Sequence, residues 1–430
     1  MTTECDILVI GGGPAGSTAA AVLAGRGRDV VLLEKDRHPR FHIGESLLPL
    51  NTAIFDRLGI REQVSAIGVH KPGAEFVSDA TGKAVQFSFK DGLDPRYTSS
   101  WQVPRADFDQ LLFRTATERG ARAQEGTRVT AVSFGRPGQR ARVEAVGPGG
   151  EKLEWAPRFV LDASGRDTFL GGKLHKKEAN KRNNTAAIYA HFRGAERRTG
   201  EFEGYITVHL ADDGWFWLIP LPDGVMSVGF VANQSVFKTR RSTPHELLMQ
   251  RIQESPTVSA RMREAQIVSE VWSTGNYSYN CDRSFGDGYV MVGDAFAFLD
   301  PIFSSGVLLA MTAAEMGADV AEAWLASPAR GRRAAARMER DMRHAMGRLG
   351  WLVYRINTPA MRLLFMAPGN RLRMRDGLVS LLAGNLRGSM NQVVPVLAFK
   401  SIYYIAAGLL RTGLLRPEAT MTLPRLSAAE

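Results

Sequence analysis

The sequence predicts an α/β protein in three parts: a parallel-sheet dinucleotide-binding unit, a mostly antiparallel second sheet, and a helical C-terminal region. Three observations predict it. An apolar run at residues 6–10 leads into Gly11-Gly12-Gly13-Pro14-Ala15-Gly16, an Ala-rich stretch to Ala24, and a second apolar run, Val30–Leu33, that ends at Glu34. Downstream, short alternating segments at residues 84–89, 186–192, 205–209, 215–220 and 225–231 are punctuated by Asp213-Gly214 and Asp223-Gly224, the pattern of strands joined by turns. After Leu325 the chain is rich in Ala, Arg, Met and Leu, which favours helix.

The first unit reads as strand, glycine turn, helix, strand, acid, the βαβ arrangement of a Rossmann-like domain. Gly11 allows the tight turn, Gly13 lets the backbone approach a pyrophosphate, and Gly16 lets helix and strand pack closely. Pro14 and Ala15 open the helix, whose N-terminus attracts phosphate. Glu34 is placed to accept hydrogen bonds from a ribose.

Further segments belong to the same domain. Trp101-Gln102-Val103-Pro104-Arg105 opens a helix and leaves Arg105 free to reach a cofactor. Gly288-Tyr289-Val290-Met291-Val292-Gly293-Asp294-Ala295 reads as a buried strand running into a loop. That loop carries Asp300-Pro301 and Ser304-Ser305-Gly306-Val307 into a helix over residues 308–325, a natural anion site. We expect a discontinuous dinucleotide-binding domain at 1–75, 100–185 and 270–325, an antiparallel substrate domain at 76–99 and 186–269, and a helical region at 326–430. Turn clusters at residues 135–139 and 147–150 mark hairpins.

Composition narrows the function classes. With 430 residues, 44% apolar and 23% charged, the chain has the profile of an ordinary globular protein with a large core. Two cysteines, Cys5 and Cys281, lack metal-ligand spacing, so neither a disulfide framework nor a zinc site is expected, and a cytoplasmic setting fits. The start MTTECDILVIGGG has no basic flank and does not read as a signal peptide. A net charge of +10 suggests an acidic partner. Nucleic acid is a poor fit, because no aromatic-basic motif accompanies the charge. An apolar stretch at 393–410 contains Pro395, Lys400 and Gly408. It reads as a docked helix and not a membrane span.

Together these segments resemble the FAD-dependent monooxygenase superfamily, with its p-hydroxybenzoate hydroxylase-like fold, over roughly residues 1–325. The resemblance implies FAD held by Gly11, Gly13, Pro14, Ala15, Gly16, Glu34, Arg40, Ser46, Arg105, Val129, Asp294, Gly306 and Val307. Asp162-Ala163-Ser164-Gly165-Arg166 matches the superfamily's other strand-end segment. No second glycine fingerprint follows a strand, so no independent NAD(P) fold is expected.

Trp215-Phe216-Trp217-Leu218-Ile219-Pro220 suggests what the flavin does. Alternation on a strand puts Trp215 and Trp217 on one face, an indole wall that keeps an organic substrate from a flavin while small species pass. Reduced flavin and oxygen make an oxidant that either hydroxylates a neighbouring substrate or is attacked by halide to give hypohalous acid. The second route needs a halide site, a barrier and a group that aims the halogen. Backbone amides at Ser305 and Gly306 suit the halide, Trp215, Trp217 and Pro220 the barrier, and Lys71 the aiming amine. Burial would favour its neutral form.

The chain thus resembles the phenol- and pyrrole-type flavin-dependent halogenases. The motifs are Gly11–Gly16, Arg40-Phe41-His42-Ile43-Gly44-Glu45-Ser46, Lys71-Pro72-Gly73, Trp215–Pro220 and Asp300-Pro301-Ile302-Phe303-Ser304-Ser305-Gly306-Val307. The resemblance implies Lys71 as the catalytic lysine, chloride or bromide at Ser305-Gly306, O2, and FADH2 supplied by a separate reductase. In the tryptophan-halogenating branch a glutamate stands where Phe303 stands here. Its absence favours an electron-rich phenol or pyrrole, free or as an aryl group on an acidic acyl carrier protein. The alternatives are an NAD(P)H-dependent aromatic hydroxylase, a geranylgeranyl-reductase-like flavoprotein, and a flavoprotein that only binds.

Overall fold

The computed structural model describes residues 2–180, 184–238, 242–275, 278–385 and 390–415. Its first sheet is built around Thr3–Ile10, which pairs in parallel with Lys152–Asp162 on one side and Val30–Leu33 on the other. Val30–Leu33 pairs with Arg122–Gln124, and Lys152–Asp162 with Tyr289–Met291, both in parallel. Val30–Leu33 is buried throughout, the unbroken apolar run that a parallel strand covered on both faces requires. The helix Pro14–Gly25 starts with proline at its first turn, where the missing N–H costs nothing. Its Ala19, Ala20 and Leu23 share one core with Phe108, Leu112, Met311 and Ala314 from the helices Arg105–Glu118 and Gly306–Ala326. The turn clusters join Arg128–Ser133, Arg142–Val146 and Lys152–Asp162 into antiparallel pairs.

The second sheet runs Gln266–Ile267, Thr185–Arg193, Val225–Asn233, Gly214–Pro220, Ile206–Leu210, Gly73–Ser78, Ala84–Ser88. All neighbours are antiparallel except Ile206–Leu210 with Gly73–Ser78. Trp272–Gly275 also pairs with Thr185–Arg193. Asp223 and Gly224 both take positive φ, +56° and +72°, as a tight turn between Gly214–Pro220 and Val225–Asn233 demands.

Alternation divides this sheet into two faces. Phe216, Leu218, Val228 and Phe230 pack on Leu247, Leu248, Ile252 and Val258 from the helices Pro244–Glu254 and Pro256–Arg261. Trp215, Trp217, Ile219, Phe76 and Val208 share the opposite core with Phe365, Leu378 and Phe399 from the C-terminal helices. Those helices are Pro328–Val353, Pro359–Met366, Met374–Leu382 and Met390–Arg411. The last has the length and hydropathy of a membrane-crossing helix, yet only part of it is buried.

Candidate active site

A cavity of about 370 Å³ opens at the carboxyl end of the first sheet and reaches the indole face of the second. The glycine turn forms its floor. Gly11 has φ +99°, and a Cβ on Gly16 would lie 1.8 Å from the Gly11 carbonyl oxygen. No other residue fits either position. Gly11, Gly13, Pro14 and Ala15 line the cavity, while Gly16 lies beneath as the contact between turn and helix. Glu34 accepts from the backbone N–H groups of Gly12, at 2.6 Å, and Asp36, at 2.9 Å. Its carboxylate is thereby held at the cavity edge, at the end of its strand.

Arg40 and Arg105 converge on Asp109. Arg105 Nε and Nη2 make a bidentate pair with Asp109 at 2.9 and 3.0 Å, and Nη1 donates to the Ile43 carbonyl at 2.7 Å. The sequence leaves Arg105 free, but the structure clamps it, and its reach into the cavity is set by Asp109, one helical turn on. Arg40 sits 3.4 Å from the same carboxylate and 3.5 Å from Glu34. Val129, Asp294, Gly306 and Val307 line the cavity as well. Burial pushes the Asp294 carboxyl up to about 7, against the pull of Arg166 and Arg105.

Trp215 and Trp217 lie side by side with ring centroids 5.9 Å apart, and together with Ile219 they wall the cavity. Trp217 Nε1 donates to Ser227 Oγ at 3.1 Å, which satisfies the one polar atom of a buried indole. Pro220 ends the strand opposite Met226 and lies outside the wall. Of the pair read as a halide site, Gly306 faces the cavity, whereas Ser305 faces an adjoining small pocket with Met338 and Met342. Ser304, at φ +55°, takes the place on the cavity side. The helix that starts at Gly306 presents N–H groups with no partner inside the helix.

Lys71 is 1% exposed. Its Nζ donates to Ser46 Oγ at 2.8 Å and to the Leu47 carbonyl at 2.9 Å, and lies 5.4 Å from the Phe89 ring centre. Desolvation by burial pushes its pKa down to about 7. The short strand Val69–Lys71 pairs with Ser100–Gln102, and residues 45–48 lie along the far side of that strand. Leu47 N donates to the Trp101 carbonyl at 3.1 Å, Val103 N to the Glu45 carbonyl at 2.8 Å, and Ser100 Oγ to the Leu48 carbonyl at 3.0 Å.

Some cavity residues carry no local signal. Ile206 and Phe298 line it as ordinary apolar residues. Arg166 reaches it from the strand-end segment and donates to Thr274 Oγ1 and the Gly275 carbonyl. Glu45 lines it too and meets His191 Nε2 at 2.7 Å, a contact across 146 residues of chain. Phe41 stacks on Trp272 with centroids 3.8 Å apart. Both contacts fasten the loop before Ser46 to the second sheet.

A family model described as tryptophan halogenase matches residues 6–94 and 81–357. The chain belongs to the tryptophan halogenase family. This halogenase homologue is 36% identical over 322 residues to the tryptophan 2-halogenase of Chondromyces crocatus, covering 74% of this chain and 61% of that protein. It is 30% identical over 345 residues to the 1H-pyrrole-2-carbonyl peptidyl-carrier-protein chlorinase of Pseudomonas fluorescens, covering 74% of this chain and 76% of that one. Among solved structures, the flavin-dependent brominase Bmp2 superposes with a TM-score of 0.82 at 26% identity, over 94% of this chain and 100% of that one. The myxobacterial chondrochloren halogenase CndH superposes at 0.78 and 28% identity, over 94% and 97%. The chain spans 61–65% of the length of the first curated relatives it matches. The cavity fits FAD on its own evidence: a turn that tolerates no side chain at Gly11 or Gly16, an acid following the second strand, and Arg40 and Arg105 on its wall.

Proposed function

We propose that this chain is an FADH2-dependent halogenase in which Lys71 directs electrophilic halogenation of an electron-rich phenol or pyrrole. A single observation carries the reading. A fully buried lysine with no carboxylate among its hydrogen-bond partners donates to Ser46, which lines a cavity walled by two tryptophans. A structural lysine at that depth would normally be paired.

Reduced flavin and oxygen, when bound, supply the oxidation of chloride or bromide to hypohalous acid. The chain does the rest. Gly306 and its neighbours offer N–H groups at a helix start for the anion. Trp215, Trp217, Ile219 and Ile206 exclude an arene from the ring face. Lys71, half neutral near pH 7, takes up the halogen and presents it to the substrate. Phe303 belongs to an aromatic group with Phe76 and Phe365 in the core that also holds Phe89. Such surroundings suit an aryl ring, and position 303 itself offers no carboxylate, which favours phenols and pyrroles over indole. The carrier-protein chlorinase among the relatives supports a tethered substrate, as does the surplus of +10 charges facing an acidic carrier. A separate flavin reductase is the natural electron source, since the described residues include no second dinucleotide fold. Both cysteines are free, which suits a reducing cytoplasm.

Lys71→Ala tests the reading. With a flavin reductase, FAD, NADH, halide and a panel of free and carrier-linked phenols and pyrroles, the variant should bind FAD as the parent does. Halogenated product, read from its isotope pattern by mass spectrometry, should fall at least about a hundredfold. Undiminished halogenation by this variant would refute the role of Lys71. A hydroxylated product from NADPH and the protein alone would favour the hydroxylase reading.

A further inference from the structure

Lys71 is not part of the cavity wall; Ser46 is. Of the two residues whose oxygens accept from the amine, Ser46 lines the cavity and Leu47 does not. We propose that Ser46 is a proton relay in the halogen hand-off, taking a proton from the Lys71 amine and giving its own to the departing oxygen of hypohalous acid. This deepens the reading of Lys71 and rests on it.

Donor counting supports it. An ammonium carries three N–H groups and a neutral amine two. The site offers two acceptors, at 2.8 and 2.9 Å, and a third neighbour that is an aromatic ring. An amine with both protons placed has its lone pair left for the halogen. Burial is the one cause that lowers this lysine's pKa, with no charged group contributing. Because Ser46 Oγ accepts from Lys71, its own O–H is free to donate towards the cavity.

The serine is held independently of the lysine. Ser46 bridges Gln102, and Glu45 and Leu47 on either side bond to Val103 and Trp101. Gly44, at φ +109°, turns the chain just before, and a Cβ there would lie 2.8 Å from Arg105 Nη1.

The step balances. Lys71 Nζ attacks the halogen, so an N–X bond forms as the O–X bond breaks. One amine proton passes to Ser46 Oγ while the serine proton passes to the leaving oxygen, which departs as water. Amine and hypohalous acid give haloamine and water. The halogen keeps its oxidation state and no other redox partner is needed. The arene then takes the halogen and returns a proton to the amine.

The test needs no flavin. FAD-free protein receives one equivalent of hypochlorite, and chlorine on Lys71 is quantified by intact mass and peptide mapping, with Lys71→Ala as the blank. At pH 7 Ser46→Ala should lower chlorination of Lys71 at least about tenfold, and Ser46→Thr, which keeps the hydroxyl, should restore it. The midpoint of the pH profile should also fall in Ser46→Ala, since the hydroxyl favours the charged donor over the neutral one. A folded Ser46→Ala protein chlorinated at Lys71 like the parent overturns the relay, and so does a folded Ser46→Thr protein that fails to restore it. The two levels separate cleanly. If Lys71→Ala still halogenates with flavin, the lysine reading fails. If Lys71→Ala is inactive while Ser46→Ala behaves as the parent, only the relay fails.

Discussion

Lys71 is costly to bury, and the cost is measurable. Its pKa falls from 10.5 towards 7 in the folded protein, so between those pH values the unfolded chain binds more protons than the folded one. Stability therefore rises with pH across that window and is flat below it. The lysine contributes about 3–5 kcal/mol to that rise. Lys71→Met removes the titrating group and keeps most of the volume. The difference in unfolding free energy, parent minus variant, should grow by a few kcal/mol from pH 7 to pH 10. Urea titrations at several pH values measure it. A pH-independent difference would mean that the amine is solvated and not buried.

The elements that seat this lysine are short and come from distant parts of the chain. Val69–Lys71 and Ser100–Gln102 are three residues each, and their ladder is braced from the side by Gly204, whose carbonyl accepts from Gln102 Nε2 at 2.8 Å. Gly204 has φ +75°, and a Cβ there would meet the His70 carbonyl at 1.9 Å. Gly204→Ala should therefore push His70 and Lys71 from register and cost about 1–3 kcal/mol of stability. Because Gly204 lies outside the cavity wall, FAD affinity should survive, while halogenation falls at least about tenfold. Flavin titration alongside product formation separates the two.

The same scale explains what could be read in advance. The glycine turn, the strand ending at Glu34, the Asp223-Gly224 turn and the indole face are local patterns, and the structure places each as its spacing implies. Three residues are too few to show a period, so Val69–Lys71 is legible only as part of a motif. Ser46 on Lys71 and Glu45 on His191 are side-chain meetings set by tertiary packing, whereas Asp109 under Arg105 follows from i,i+4 spacing on one helix. Both tertiary meetings join residues that no spacing relates. A helix start exposes several N–H groups at once, so the sequence predicts Ser305 and Gly306 together as the halide site. Ser304 and Gly306 line the cavity, and Ser305 and Gly306 the smaller pocket beside it.

At the scale of the whole molecule, the C-terminal helices close the indole face of the second sheet, and the last of them does so with only half its circumference. On Met390–Arg411, Phe399, Tyr403 and Ala406 enter the core beside Phe365 and Leu378, and Val396 is buried. Val394, Leu397 and Ile405 stand out at 57%, 55% and 61% exposure. Hydropathy alone does not distinguish these faces, and the sequence reading of one docked helix describes only the first. Burial predicts opposite responses to the same chemistry. Leu397→Glu with Ile405→Glu places charges in water and should change stability by no more than about 0.5 kcal/mol per site. Phe399→Glu removes a buried ring and strands a carboxylate in an apolar core, a loss of about 3 kcal/mol or more. The inner change should also lower halogenation, since the core that holds Phe399 also holds Trp215, Trp217 and Phe89, whereas the outer pair should leave turnover intact. Denaturant midpoints and turnover of the three proteins decide it. Equal losses on both faces would mean that the outer stripe is covered in solution.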